Sequence, residues 1–115
     1  MVVEIARVYD EAGADPRGRF LVDRLWPRGI AKAGAPFEQW LKEIAPSTEL
    51  RKWYSHEVEK YAEFAERYRD ELATDAARAL LDDLRDRARR ASVLLITATK
   101  DLEHSGAAVL RDVLA

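Results

Sequence analysis

Two short segments carry the residue types that could do chemistry. The first is Asp23-Arg24-Leu25-Trp26-Pro27-Arg28-Gly29, with two arginines, a carboxylate and a tryptophan in seven residues. A guanidinium presents a planar fork of donors that suits a carboxylate or a phosphate. Arg24 and Arg28 are therefore candidate anion ligands, and Trp26 between them is a candidate platform for a base or a sugar. Asp23 is a candidate general base, or the group that orients an arginine. The second segment is Thr99-Lys100-Asp101-Leu102-Glu103-His104. Here Lys100 and Asp101 are candidate ligand contacts, and His104 can gain or lose a proton near neutral pH.

The bland alternatives are specific too. Arg24 could pair with a carboxylate such as Asp101, and Arg28 could satisfy loop carbonyls. Trp40 and Trp53 serve most simply as core. His56, in "YSHE", falls near an expected helix start and has a surface or capping role as its plain alternative. Trp26-Pro27 reads as a rigid turn, and a cis bond there is an option the sequence leaves open.

Elements must bring these segments together. "EIARVYD" (4–10) alternates apolar residues with strand period and reads as a first strand. Residues 11–18, with Gly and Asp-Pro, read as a turn. "RFLVDRL" (19–25) reads as a second strand stopped by Trp26-Pro27, and 29–36 as a loop. Phe37, Trp40, Leu41 and Ile44 sit at helical spacing and predict a helix ended by Pro46. Ser47 is a cap for a short helix with Leu50, Trp53 and Tyr54, and Ser55 a cap for the next, whose stripe is Val58, Tyr61, Ala65, Tyr68 and Leu72. Asp75 is expected to cap a helix with Leu80, Leu81 and Leu84 inside. "SVLLITAT" (92–99) suits a strand buried on both faces, and a last helix is expected from about Glu103. The fold expected is α/β, a small largely parallel sheet of about three strands with helices packed on it, in a single domain over 1–115.

In such sheets ligands bind beyond the carboxyl ends of the strands. The second and third expected strands run straight into the two unusual segments, so their meeting depends on strand order. Local charge favours an anion: from Arg17 to Lys32 there are five basic residues and one acid, in a chain whose formal charge is −2. The N-terminus of the last helix would add amides and partial positive charge. A slightly acidic chain argues against general nucleic-acid coating, although Arg17, Arg19, Arg28, Lys32 and Arg51 could form a local stripe.

Other chemistries are thinly supplied. With no cysteine, thiol nucleophiles, disulfides and Cys-zinc sites are out. There is no HExxH spacing, Gly-rich phosphate loop or GxSxG elbow, so neither a metal nor a cofactor is expected. Ser47, Ser55 and Ser105 read first as caps or turns. The charge-rich stretch 57–90 reads as a solvated helix pair. No signal-peptide run and no apolar stretch of about 20 residues is present, which sets a cytoplasmic expectation.

In "RVYD" (7–10), "LVDRLWPRGI.K" (21–32), "WLKEIAPSTELRKWY" (40–54), "EF.ERY..EL" (63–72) and "LLITATKDLEH" (94–104), the chain resembles the short YeaO-like branch of the DUF488 family of bacterial proteins. The resemblance implies that the strand-end arginine motif and the late strand-then-helix motif belong to one site; it implies no particular reaction. Three functions are weighed: a binder of, or enzyme for, a small anionic, phosphorylated or nucleotide-like ligand; a protein-interaction domain without catalysis; and a nucleic-acid-binding module.

Overall fold

A computed structural model describes residues 3–9 and 18–115 of the chain. The expected turn at 11–18 and Arg17 of the basic stripe fall outside or at the edge of the described residues. The strands are β1 (Val3–Arg7), β2 (Gly18–Leu21), β3 (Gln39–Trp40) and β4 (Val93–Thr97), and the helices are α1 (Thr48–Tyr54), α2 (Tyr61–Glu71), α3 (Asp75–Arg90) and α4 (Gly106–Leu114). The sheet is four-stranded in the order β1-β4-β2-β3, and every pairing is parallel. β4 is central because its five residues, all buried, can face protein on both sides. It holds β1 by Ile5 opposite Leu95 and β2 by Phe20 opposite Leu95.

Strand alternation splits the core in two. Phe20, Val22, Val93 and Leu95 pack with Leu50, Phe64, Tyr68, Leu81, Leu84, Leu110 and Leu114 from the four helices. Leu21, Leu94, Ile96 and Val8 face the other way, where Ile30, Phe37 and Trp40 cover them. Among the described residues no helix packs on that second face. Its cover is the irregular connection that begins with Asp23-Arg24-Leu25-Trp26.

Several expectations are corrected. Residues 37–44 are not a helix: β3 occupies 39–40 and a 3₁₀ turn occupies Lys42–Ile44. The helical spacing is accidental, because Phe37 and Trp40 serve one face of the sheet while Leu41 and Ile44 serve the other. β2 ends at Leu21 rather than running to 25, although the Val22 N–H still donates to Ile96 at 3.0 Å. Asp75 is the first residue of α3, and Thr74 caps it, accepting from the Ala77 N–H at 3.2 Å. The last helix starts at Gly106, with Ser105 as its cap and a 3₁₀ turn at Leu102–His104 before it.

Ser47 does cap α1, accepting from the Leu50 N–H at 3.1 Å. Ser55 does not open the next helix. It ends α1 in the left-handed region at φ 47°, its N–H donating to the Arg51 carbonyl at 3.0 Å, a common way to terminate a helix. Val58, placed on the buried stripe from sequence, is 48% exposed, and Phe64 takes the inner position. Among the described residues no peptide bond is cis, so Trp26-Pro27 is trans.

Candidate functional site

Asp23 stands where β2 has just ended, and its carboxylate ties that end to β4. Oδ1 accepts from the Thr97 hydroxyl at 2.6 Å and Oδ2 from the Ala98 N–H at 2.8 Å. Its own carbonyl accepts from the Trp40 indole at 2.7 Å. Burial raises its pKa above the ordinary 3.8, against the lowering effect of the Ala98 and Thr97 hydrogen bonds and of nearby His56. With both oxygens engaged, Asp23 acts first as the clasp between two strand ends.

Arg24 is held just as firmly. Nε donates to the Pro46 carbonyl at 3.2 Å and Nη2 to the Ala45 carbonyl at 3.1 Å. It therefore satisfies the carbonyls ahead of α1 and is not paired with Asp101, its structural alternative. Trp26 donates its indole N–H to the Ile30 carbonyl at 2.6 Å and meets Phe37 and Trp40 edge-on at 5.2 and 5.5 Å. Its ring braces the loop and keeps one side on a cavity. Arg28 is exposed, and its guanidinium has no hydrogen-bond or ion-pair partner among the described residues; its carbonyl is pinned by the Tyr9 hydroxyl at 2.9 Å.

The cavity has a volume of about 320 Å³. Asp23, Arg24, Leu25, Trp26, Pro27 and Arg28 form one wall, Pro46, Arg51, Tyr54 and His56 another, and Ala98, Thr99, Ser105 and Gly106 lie at the end of β4 and the start of α4. It sits beyond the carboxyl ends of β2 and β4, the place that the strand-end rule picks out. The first turn of α4 reaches it through Ser105 and Gly106, and a Cβ on Gly106 would come within 3.2 Å of the Pro46 ring. Glycine there lets the helix start close to the wall.

Arg51 is the residue that sequence reasoning undervalued, naming it only in a surface stripe. It lies inside α1, and its Nε is buried with no hydrogen-bond partner among the described residues. A buried donor left unpaired costs about 1–3 kcal/mol. Three arginines and one carboxylate residue thus line this cavity. The apolar share of the lining comes from Leu25, Pro27, Pro46 and Phe64. Tyr54 contributes a neutral hydroxyl, because burial pushes its pKa up to about 12; it donates to the His104 carbonyl at 2.6 Å.

The second segment is placed differently from the expectation. Thr99 lines the cavity, but Lys100, Asp101 and His104 do not. His104 Nδ1 lies 2.8 Å from Asp101 Oδ2, and its ring meets Tyr61 edge-on at 5.1 Å. Glu103 forks onto Arg111 at 3.0 and 3.3 Å. The chain turns away after Thr99, so the strand ends meet while the polar residues beyond them do not. Among the described residues no group of three metal-ligating side chains converges, and no helix is long and apolar enough to cross a membrane.

The family model DUF488-N3i, described as the inactive DUF488-N3 subclade, matches residues 2–115. The chain belongs to the DUF488 family. The relatives of this DUF488 chain include the uncharacterized protein Rv3073c of Mycobacterium tuberculosis (strain ATCC 25618 / H37Rv), 46% identical over 97% of the chain and 92% of that protein. The uncharacterized protein YeaO of Escherichia coli (strain K12) is 43% identical over 97% of the chain and 96% of its own length. Both support the YeaO-like branch, and both sources are bacterial. No solved structure matches.

Proposed function

We propose that the cavity beyond β2 and β4 binds a small oxyanion, a phosphorylated or nucleotide-like ligand, and does not turn it over. The observation that carries this is the gathering of Arg24, Arg28 and Arg51 around one cavity whose only carboxylate residue, among the described residues, is Asp23. An anion in that place would meet the guanidinium of Arg28, which has no partner among the described residues. Three arginines against one carboxylate leave two positive charges, which suits a phosphate monoester better than a cation or a neutral molecule. Binding without turnover is favoured by the description of the matching subclade as inactive. It is favoured also by Asp23, whose oxygens already accept from Thr97 and Ala98.

A protein-interaction role is the second reading. Its support is the exposure of Leu25 at 57% and Tyr9 at 45% at the cavity mouth. The two separate in thermal denaturation with inorganic phosphate, phenyl phosphate, nucleoside monophosphates and short single-stranded RNA. A ligand at about 100 times its dissociation constant adds about 2.7 kcal/mol, a rise of several degrees for a domain of this size. The small-ligand reading expects that rise in the wild type and its loss in Arg51→Met. No rise with any small anion, in a chain that self-associates or captures a defined partner through Leu25, would replace it with the interaction reading.

A further inference from the structure

The backbone at the cavity rim makes a tight turn through two left-handed residues, neither of them glycine. Ser55 and His56 both have positive φ, at 47° and 57°. Ser55 has a structural reason, since it ends α1 and its N–H returns to Arg51. His56 follows in the same left-handed region because the turn from Tyr54 to Glu57, closed by the Glu57 N–H donating to the Tyr54 carbonyl at 3.0 Å, needs positive φ at both of its central residues, positions that Gly and Asn usually fill. A left-handed residue with a Cβ is costly, and consecutive ones are unusual. Residues held this way gather at ligand-binding and active sites.

The consequence of the two left-handed steps is the position of one side chain. They reverse the chain after α1 so that His56 lines the cavity beside Arg51 and Tyr54, its ring 6.1 Å from that of Tyr54. Its imidazole has no hydrogen-bond partner among the described residues, and packing does not hold it, since the residue is exposed. A nitrogen donor is thus delivered to an anion-suited cavity at a conformational cost, with no hydrogen-bond partner among the described residues.

We infer that His56 is a ligand-contact residue of this site, donating to the same oxyanion as Arg51. The inference rests on the proposed anion binding and adds a contact to it. In its protonated form it would add to the positive charge of the arginines beside Asp23, whose pKa it lowers.

The test pairs stability with affinity, because a merely structural loop would move them together. The variants are Ser55→Gly, His56→Gly and His56→Asn, and the probe is phenyl phosphate, titrated calorimetrically against the full chain. Glycine relieves the left-handed strain at either position. Both glycine variants are expected to melt about 2–5 °C higher. Ser55→Gly should bind the probe like the wild type. His56→Gly should bind it about tenfold more weakly, the size of one lost hydrogen bond to a charged group. Asparagine tolerates the left-handed region and keeps a donor, so His56→Asn should fall between. Unchanged affinity in His56→Gly, or a melting point lowered by it, overturns the inference while anion binding stands. A wild type that does not bind the probe, inorganic phosphate or any nucleoside monophosphate removes both.

Discussion

The two arginines nearest in sequence are used in opposite ways, and the third is hidden in a helix. Arg24 closes hydrogen bonds to the Ala45 and Pro46 carbonyls, so Arg24→Ala strands two acceptors and is expected to lower stability by about 1–3 kcal/mol. Arg51→Met removes a buried donor that has no partner among the described residues, so it should leave stability unchanged or raise it by up to about 1 kcal/mol. Urea denaturation of both variants checks the contrast; equal losses would mean that Arg51 is structural. Asp23 adds a pH dependence. Its folded pKa is raised by burial above 3.8, so the folded state holds that proton more tightly than the unfolded chain. Its contribution to stability therefore declines as pH rises from 3.8 through the folded pKa, and is lost above it. A carbon-detected carboxyl titration should place the Asp23 midpoint above 3.8, and higher still in His56→Gly, which loses a lowering charge. The types and spacing of Asp23, Arg24, Trp26 and Arg28 were legible as a site in the sequence. Which guanidinium is spent on the protein was not, because that depends on the carbonyls of residues 45 and 46, which lie more than twenty positions away.

Element boundaries turn on which face a side chain serves, and spacing alone does not reveal it. Phe37, Trp40, Leu41 and Ile44 fit a helical template, yet they divide between the two faces of the sheet, and β3 is only Gln39–Trp40. Caps were easier to read, because Ser and Thr side chains accept from the backbone locally whatever the tertiary context. Ser47 illustrates both points. Its hydroxyl caps α1, as its place after Pro46 predicts, but it also donates to Glu71 Oε2 at 2.5 Å, and its N–H donates to Oε1 at 2.8 Å. The end of α2 thereby clasps the start of α1, next to the Pro46 wall of the cavity. Ser47→Ala should cost more than the ~1 kcal/mol of an isolated cap, while Thr74→Ala at the start of α3, with no such second partner, should cost about that amount. Thermal melts of the two variants and of Glu71→Gln would resolve the extra term. Equal losses for Ser47 and Thr74 would make the Glu71 contact a surface ornament.

At the scale of the molecule, the sheet order decided whether the two sequence segments could meet. The buried run at 93–97 announced a central strand, and parallel pairing on both sides of it put the ends of β2 and β4 side by side. Beyond that the sequence was silent, because the departure of Lys100, Asp101 and His104 follows from the 3₁₀ turn before α4 and its contact with Tyr61. The split core makes a global prediction. Leu95 packs with the helices on one face, and Phe37 belongs to the smaller cluster beneath the connection that carries Arg28. Leu95→Ala should lower stability by about 2–5 kcal/mol and leave the folded fraction's affinity for phenyl phosphate unchanged. Phe37 is only half-buried, so Phe37→Ala should cost less, about 1–3 kcal/mol. Losing its edge-on contact with Trp26 should nevertheless loosen the wall of the cavity and weaken binding several-fold. Chemical denaturation and calorimetric titration of both variants measure the two effects separately. If affinity followed global stability in both, the helix-free face would be no more than a lid on the core; if it fell only in Phe37→Ala, that face is the part of the fold that holds the site in shape.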